Sequence, residues 1–215
     1  MSKPLCVTSA FANNVRPRRP AGRRFRKMTY VPTRSLLAAA FAGILIVIGG
    51  WTLARADHAA AAGCPGADKA PRSISSKNAG KLIVCLVNKK RASHGLSKLS
   101  YSSELARAAR GHSKRMQKTD CFDHVCPGEA ELAGRYQRVD YLPCSCSWGI
   151  AENIGWGPGS KGSPRRIVKA WMHSPPHRAN ILGSFEHAGG GVRWGSPNHR
   201  GSRAGTYTLD FGYKR

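Results

Sequence analysis

The order of the elements along the chain, helices first and strands last, predicts an α+β fold. Residues 75–93 and 103–118 carry apolar side chains at the three-to-four spacing of helices. Residues 185–194 and 204–213 read as two strands separated by a polar loop. Because 41% of the 215 residues are hydrophobic, the chain can bury a core, which excludes wholesale disorder and leaves one domain with an appendage.

Capping residues delimit the first two helices. The first helix is predicted to run from Ser75 to about Ser93, because Gly95 is suited to the position just after a helix. The second helix begins at Ser102 or Ser103, since serine is a favoured N-cap. Its apolar stripe consists of Leu105, Ala109, His112 and Met116.

Three shorter elements complete the predicted domain. Residues 129–136 can form a third helix and residues 149–157 a short strand. Ser163-Pro164 begins a further helix, because proline is favoured at the first helical position. Pro175-Pro176 ends that helix, since proline cannot continue it.

The N-terminal part reads as an export signal. Residues 1–34 are rich in Arg and Lys, residues 35–54 are uncharged and apolar, and Ala54-Arg55-Ala56 is a small-x-small cleavage site. This is the layout of a secretory signal peptide, which predicts cleavage after Ala56. An uncleaved single-pass anchor is the alternative, because the apolar run of 35–54 is long enough to span a bilayer. Translation can start at Met1 or at Met28.

Either alternative places residues 57–215 outside the membrane. An Ala-, Gly- and Pro-rich linker is predicted at 57–74 and the folded domain at 75–215. The net charge of the whole chain is +24. Residues 1–56 hold ten basic residues and no acidic one, which leaves 25 basic and 11 acidic residues, a charge of +14, for 57–215.

Cysteine usage agrees with export. Six of the seven cysteines follow the signal: Cys64, Cys85, Cys121, Cys126, Cys144 and Cys146. An even number in an exported chain predicts disulfides. We expect Cys64 to pair with Cys85, and the pair Cys121 and Cys126 to meet Cys144 and Cys146. A zinc site made of these last four cysteines is the alternative.

Seven short motifs follow one another along residues 80–213. They are Leu86-Val-Asn-x-x-Arg91-Ala-x-x-Gly95-Leu, Ala108-Ala-Arg-x-His112-Ser-x-x-Met116, Phe122-Asp-His124, Glu152-Asn-Ile, Trp171-Met-x-Ser174-Pro-x-His177-Arg-x-Asn180-Ile-Leu, Gly189-x-Gly191-Val and Tyr207-Thr-x-Asp210-Phe-Gly212. In this order they resemble the CAP superfamily of cysteine-rich secretory, antigen 5 and pathogenesis-related proteins, and most of all its compact bacterial branch. The resemblance implies an α-β-α sandwich, with helices on both faces of a small antiparallel sheet.

The resemblance also implies a cleft. Eukaryotic members gather two His and two Glu there, of which His124 and Glu152 have counterparts in this chain, while Ser174 and Thr206 stand at the other two positions. Bacterial relatives place a His in the Ser-Pro-x-His-Arg motif, which is His177 here.

His124, Glu152 and His177 admit three interpretations. A structural network, in which Glu152 accepts hydrogen bonds from one or both imidazoles, is the first. A Zn²⁺ site is the second, since two imidazoles and a carboxylate suit zinc and leave a position open. Acid–base chemistry is the third. Three further polar residues, His112, Ser174 and Asn180, are predicted to be structural. His112 is expected to be a core histidine with a backbone partner, and Ser174 a cap at a helix end.

Two functions from different classes follow. The first is an exported, non-enzymatic binding or structural module, secreted or at the cell surface. The second is a metal-assisted hydrolase that uses the His/Glu cleft. The positive charge is either a solvated surface or an attraction to anionic cell-wall polymer or lipid headgroups. No nucleic-acid partner is expected, because aromatic residues are not interleaved with the basic ones.

Overall fold

A five-stranded sheet in the order β1-β3-β5-β4-β2 forms the centre of the fold. The computed structural model describes residues 63–142, 147–198 and 203–215, and the backbone of residues 6–13. The strands are β1 (Cys6–Asn13), β2 (Ser100–Tyr101), β3 (Trp148–Pro158), β4 (His187–Trp194) and β5 (Ala204–Lys214). The long strands pair antiparallel, whereas β2 pairs parallel with β4. The α+β class is confirmed, but the expected purely antiparallel sheet is corrected to a mixed one. The segment after α1 reaches the edge of β4 and pairs with it for two residues before the next helix begins.

The helices cover both faces of this sheet. They are α1 (Ser76–Ala92), α2 (Ser103–Lys118), α3 (Leu132–Gln137), α4 (Pro164–Met172) and α5 (Pro175–Leu182). The predicted caps are in place, since the Ser75 hydroxyl accepts from the Asn78 amide and the Ser102 hydroxyl from the Leu105 amide. A 3₁₀ turn, Gly159–Gly162, connects β3 to α4.

Helix α5 corrects one expectation about prolines. Pro175 and Pro176 were expected only to end the preceding helix, but they also occupy the first positions of α5. The first-turn amides of a helix lack intrahelical acceptors, so a proline there sacrifices no hydrogen bond.

Three consecutive glycines of β4 let helices approach from opposite sides. A Cβ at Gly189 or Gly191 would overlap the backbone of α2, and one at Gly190 would overlap Gly80 of α1. Successive strand residues point to opposite faces, so α1 and α2 lie on opposite faces of the sheet. Helices α4 and α5 share a core with α1, and α3 shares one with α2.

Strand β1 was not expected, because residues 1–34 were assigned to a basic segment outside the folded domain. The structure pairs Cys6–Asn13 antiparallel with β3 over its length. An edge strand has unpaired amide and carbonyl groups that an extended segment can satisfy. The apolar run 35–54, the site at Ala56 and Met28 lie outside the described residues. In the part of the chain that the structure describes, no helix is both long and apolar enough to cross a bilayer.

Two disulfides join cysteines that are close in sequence. Cys64 pairs with Cys85, as predicted, and ties the segment before α1 to that helix. Cys121 pairs with Cys126, so the expectation that these two cysteines form disulfides with Cys144 and Cys146 is wrong. The loop after α2 turns back on itself and brings their Cα atoms to 5.8 Å, which suits a disulfide. The pair is also unavailable for the alternative zinc site. Cys144 and Cys146 lie outside the described residues.

Candidate functional site

A loop closed by a disulfide presents His124 to the sheet. Cys121 and Cys126 join on either side of this residue. Within the loop, the Asp123 carboxylate accepts a hydrogen bond from the His124 amide at 2.6 Å. The imidazole is thereby held against β3, where its Nδ1 lies 2.7 Å from Oε1 of Glu152. This contact confirms the prediction that the Glu152 carboxylate lies within hydrogen-bond reach of one of the cleft imidazoles.

Glu152 is fully buried in the middle of β3. Its side chain points to the same face as Ile150 and Ile154, which pack against α2 and its neighbouring segments. Directly opposite in the ladder stands Asp210 of β5, which is also fully buried. Two carboxyl groups therefore face the same buried region from adjacent strands.

Arg135 of α3 supplies the positive charge of this region. Its side chain is 5% exposed, and its Nη1 forms an ion pair with Oε2 of Glu152 at 2.9 Å. Its Nη2 donates a hydrogen bond to the backbone oxygen of His124 at 3.2 Å. The guanidinium thus links the buried carboxylate on the sheet to the disulfide-closed loop.

His112 of α2 completes the cluster, with a partner that was not expected. Its Nδ1 lies 2.7 Å from Oε2 of Glu129, and its Nε2 lies 3.7 Å from Oε1 of Glu152. The residue is a core histidine, as predicted, but its partner is a carboxylate and not a backbone group. We refer to His112, His124, Glu129, Arg135, Glu152 and Asp210 as the polar cluster.

Burial and charge drive the two carboxyl pKa values apart. Burial alone would raise the pKa of Glu152, but the charges of Arg135 and His112 and the contact with His124 outweigh it and hold that pKa well below its ordinary value. Burial, reinforced by the negative charge of Glu152, raises the pKa of Asp210 well above its ordinary value. Glu152 is therefore the ionised member of the pair and Asp210 the protonated one.

The structure does not bring His177 into the polar cluster. Its backbone oxygen accepts from Asn153 Nδ2, and Asn153 points to the face of β3 opposite to Glu152. The imidazole Nδ1 lies 2.7 Å from Ser174 Oγ. The expected trio of His124, Glu152 and His177 is therefore corrected to a pair, because α5 packs on the other side of the sheet.

Ser174 and Asn180, the other two polar residues predicted to be structural, lie beside His177. Ser174 precedes α5 instead of ending a helix, so its predicted place is corrected, and its hydroxyl contacts a side chain one turn further on. The Ser174 hydroxyl makes no capping hydrogen bond to α5, so this contact links two side chains and is not a helix cap. Asn180 is buried and donates to Asn153 Oδ1 at 2.9 Å. Its structural role stays a prediction.

Zinc does not fit the residues of the polar cluster. The second oxygen of Glu152 lies 2.9 Å from Arg135, so a guanidinium occupies the side from which a cation would bind. The third expected ligand, His177, stands on the opposite face. Among residues 63–142, 147–198 and 203–215, no group of three His, Cys, Asp or Glu side chains is arranged to hold a metal ion.

Sequence reasoning missed Glu129, Arg135 and Asp210 as members of the cluster. A signal existed for Arg135, because it lies one turn after Leu132 and beside Tyr136, on the buried stripe of α3. A charged residue on such a stripe needs a buried partner. Asp210 carried the same signal, as an acidic residue inside the long buried strand β5. Nothing in the sequence singled out Glu129.

The chain is similar to known proteins in both sequence and fold. The model of the family described as "CAP: Cysteine-rich secretory protein family" matches residues 84–209. The chain is 35% identical over 128 residues to the uncharacterized protein YkwD of Bacillus subtilis (strain 168), which covers 57% of this chain and 44% of YkwD. It is 34% identical over 115 residues to the uncharacterized membrane protein YlbC of the same strain, which covers 52% of this chain and 31% of YlbC. The chain spans less than half the length of either relative.

Two solved structures are similar to this one. An outer surface protein from Borrelia burgdorferi has a TM-score of 0.51 at 16% identity, covering 67% of this chain and 99% of that one. An extracellular protein containing a SCP domain from Bacillus anthracis str. Ames has a TM-score of 0.49 at 27% identity, covering 63% of this chain and 40% of that one. The likeness to the Borrelia protein supports the fold.

Proposed function

Because the chain belongs to the cysteine-rich secretory protein (CAP) family, we propose that it is an exported protein whose CAP domain is a non-enzymatic binding or structural module. It acts at the cell surface or in the extracellular space. Export is supported by the basic flank, the apolar run and the Ala54-Arg55-Ala56 site. The disulfides Cys64–Cys85 and Cys121–Cys126 suit an oxidising compartment.

The observation that carries the non-enzymatic role is the ion pair between Arg135 and Glu152. A general acid or a metal-ligating carboxylate must be able to exchange a proton or a ligand at the reacting centre. Glu152 is fully buried, and its two oxygens are engaged by Arg135 and His124. The cluster therefore joins α2, α3, β3, β5 and the disulfide loop as a structural network.

Export and the absence of a resident metal are tested on one sample. Material recovered from the culture medium of producing cells should begin at Asp57 by N-terminal sequencing, and cleavage there would remove β1 and leave β3 at the edge of the sheet. A full-length product found only in the membrane fraction would support the single-pass anchor instead. The metal content of the same secreted material should be far below one ion per chain. Zinc at one ion per chain would favour the alternative, a metal-assisted hydrolase.

A further inference from the structure

Charge is distributed unevenly between the two faces of the sandwich. Residues 69–103, which include α1, contain eight Lys and Arg and no Asp or Glu. Residues 153–185, which include α4 and α5, contain five Lys and Arg and again no Asp or Glu. Residues 104–142, which include α2 and α3 on the other face, hold seven basic and six acidic residues. The positive charge of the domain is thus concentrated on the layer of α1, α4 and α5.

Two adjoining grooves run along this layer. The first has a volume of about 410 Å³ and is lined in part by Arg166, Lys169 and His173. These three side chains are exposed and lie at a spacing of three and four residues, so they share one face of α4 and its C-cap, His173. The second groove, of about 480 Å³, shares His173 and continues to Arg178 on α5. Cationic side chains therefore follow one another along a linear track.

Contacts within the layer order part of the track. His94, beyond the end of α1, has its Nδ1 2.8 Å from the Lys90 backbone oxygen, which assigns the ring proton to that nitrogen. Its Nε2 then accepts from Arg178 Nη2 at 3.3 Å. Asp68, which directly precedes residues 69–103, is paired with Arg165 at 2.7 Å, outside the track. Glu186, the first acidic residue after α5, is paired with Arg215 at 3.0 Å. Apart from the attraction between Arg166 and Asp68, the charge of the track is therefore left for an external anion.

We propose that this track, which we call the α4–α5 track, binds a linear phosphodiester polymer of the kind found in cell walls. The inference rests on the proposed function, because it names the partner of an exported, non-enzymatic module. A chain of evenly spaced phosphates matches a row of exposed cations and gains affinity by releasing counterions. Arg and Lys both bind phosphate, and Arg can do so through two parallel hydrogen bonds.

The surface argues for a polymer over a membrane or a nucleic acid. Among the described residues, the exposed large hydrophobic side chains are Tyr101 and Val125, and neither lies on α1, α4 or α5. Met172 and Leu182, which line the second groove, are half-buried. The track therefore offers no exposed large apolar side chain for insertion between lipids. It also offers no exposed aromatic ring on which unpaired bases could stack.

The test is a binding measurement with purified poly(glycerol phosphate). The chain, its triple variant Arg166→Gln/Lys169→Gln/Arg178→Gln and a matched control are titrated at 50 and 200 mM salt. The control, Lys114→Gln/Lys118→Gln/Arg138→Gln, removes the same charge from exposed positions of α2 and the end of α3. Far-ultraviolet circular dichroism and urea unfolding verify that both variants fold like the parent chain.

The track variant should bind at least about tenfold more weakly than the control at 50 mM salt. Its slope of log affinity against log salt should be smaller by about 2, since each phosphate contact of a flexible chain contributes about 0.7. Equal losses in the two variants would overturn the assignment to this track. Tighter binding to phosphatidylglycerol vesicles, or to an oligothymidylate with the same number of phosphates, would overturn the choice of partner.

The same titration separates this inference from the proposed function. The polymer is recovered afterwards and its length is measured. A polymer of unchanged length that the parent chain does not bind overturns the inference about the track and leaves the non-enzymatic role standing. Shortening of the polymer by the parent chain would overturn the non-enzymatic role.

Discussion

Nδ1 of His124 lies 2.7 Å from Oε1 of Glu152, although 28 residues separate the two in sequence. The contact depends on three independent features of the fold. The Cys121–Cys126 disulfide closes the loop around His124, Arg135 donates to the backbone oxygen of that residue, and β3 buries Glu152. A carboxylate buried in this way persists only with compensating partners, so the polar cluster must act as a unit.

The first prediction concerns the ion pair between Arg135 and Glu152. Glu152→Gln should lower the free energy of unfolding by about 3 kcal/mol at pH 7, because the buried guanidinium loses its closest counter-charge. Urea unfolding followed by circular dichroism measures this change. Glu131→Gln, at an exposed position just before α3, is the matched control and should change the value by less than about 0.5 kcal/mol. Equal stability of Glu152→Gln and the parent chain would show that the pair stabilises nothing.

The second prediction concerns the proton on Asp210. Its raised pKa means that the folded state keeps a proton that the unfolded chain releases above a pH of about 3.9. The stability of the parent chain therefore falls as the pH rises through this window. Asp210→Asn resembles the protonated form and lacks the dependence, so its advantage over the parent chain should grow between pH 4 and pH 8.

Urea unfolding at several pH values checks the second prediction. Asp140→Asn, an exposed position at which Asn suits the positive φ of 59°, should give a flat difference close to zero. The difference in the free energy of unfolding between Asp210→Asn and the parent chain could instead stay constant or shrink with rising pH. That result would mean that Asp210 is ionised in the folded state.

The third prediction concerns the two disulfides. Cys64 and Cys85 close a loop with a sequence separation of 21, and Cys121 and Cys126 one with a separation of 5. In the chain-entropy account, removing the Cys64–Cys85 disulfide lowers the free energy of unfolding by about 3 kcal/mol, and removing the Cys121–Cys126 disulfide lowers it by about 2 kcal/mol. The double variants Cys64→Ser/Cys85→Ser and Cys121→Ser/Cys126→Ser allow the comparison by urea unfolding.

Loss of the Cys121–Cys126 disulfide should have a second effect, because the loop that it closes carries His124. In the Cys121→Ser/Cys126→Ser variant, the His124 ring resonances should move towards those of a solvated imidazole by NMR. They should stay in place in the Cys64→Ser/Cys85→Ser variant. Movement of the ring in both variants, or in neither, would contradict the positioning role of the Cys121–Cys126 disulfide.

The fourth prediction concerns the contact between α1 and β4. Gly190→Ala should lower the melting temperature strongly, since the new Cβ would overlap the backbone at Gly80 and neither side has a flexible group that can yield. Gly111→Ala is the matched control, because nothing lies within 4 Å of a Cβ at that position in α2. There the change should stabilise the chain by up to about 1 kcal/mol. Tolerance of Gly190→Ala would indicate that the helix and the strand lie further apart.

Local patterns were sufficient to predict most elements of the domain. Helix α2 was predicted with its buried stripe and with a cap at Ser102 or Ser103, and the structure places the cap at Ser102. The two-residue strand β2 and the strand β1 could not be predicted, since each exists only through pairing with a distant partner. Helix α5 was missed because Pro175-Pro176 ends one helix and begins another.

The candidate site was less predictable than the fold. His124 and Glu152 were paired correctly, but His177 was placed with them although β3 separates the two faces. Which side of a strand a residue faces depends on register, and a shift of one residue reverses it. Arg135 and Asp210 entered the cluster through tertiary packing, and only their position on buried stripes hinted at it.

The claim that the polar cluster is a structural network and not a metal centre is tested most directly by an equilibrium zinc titration. Isothermal titration calorimetry of Zn²⁺ into the purified chain and into Glu152→Gln, at pH 7, measures any binding that depends on this carboxylate. We expect the parent chain and Glu152→Gln to give the same zinc titration, because Arg135 occupies the second oxygen of Glu152. Binding of one zinc ion per chain that is lost in Glu152→Gln would contradict it.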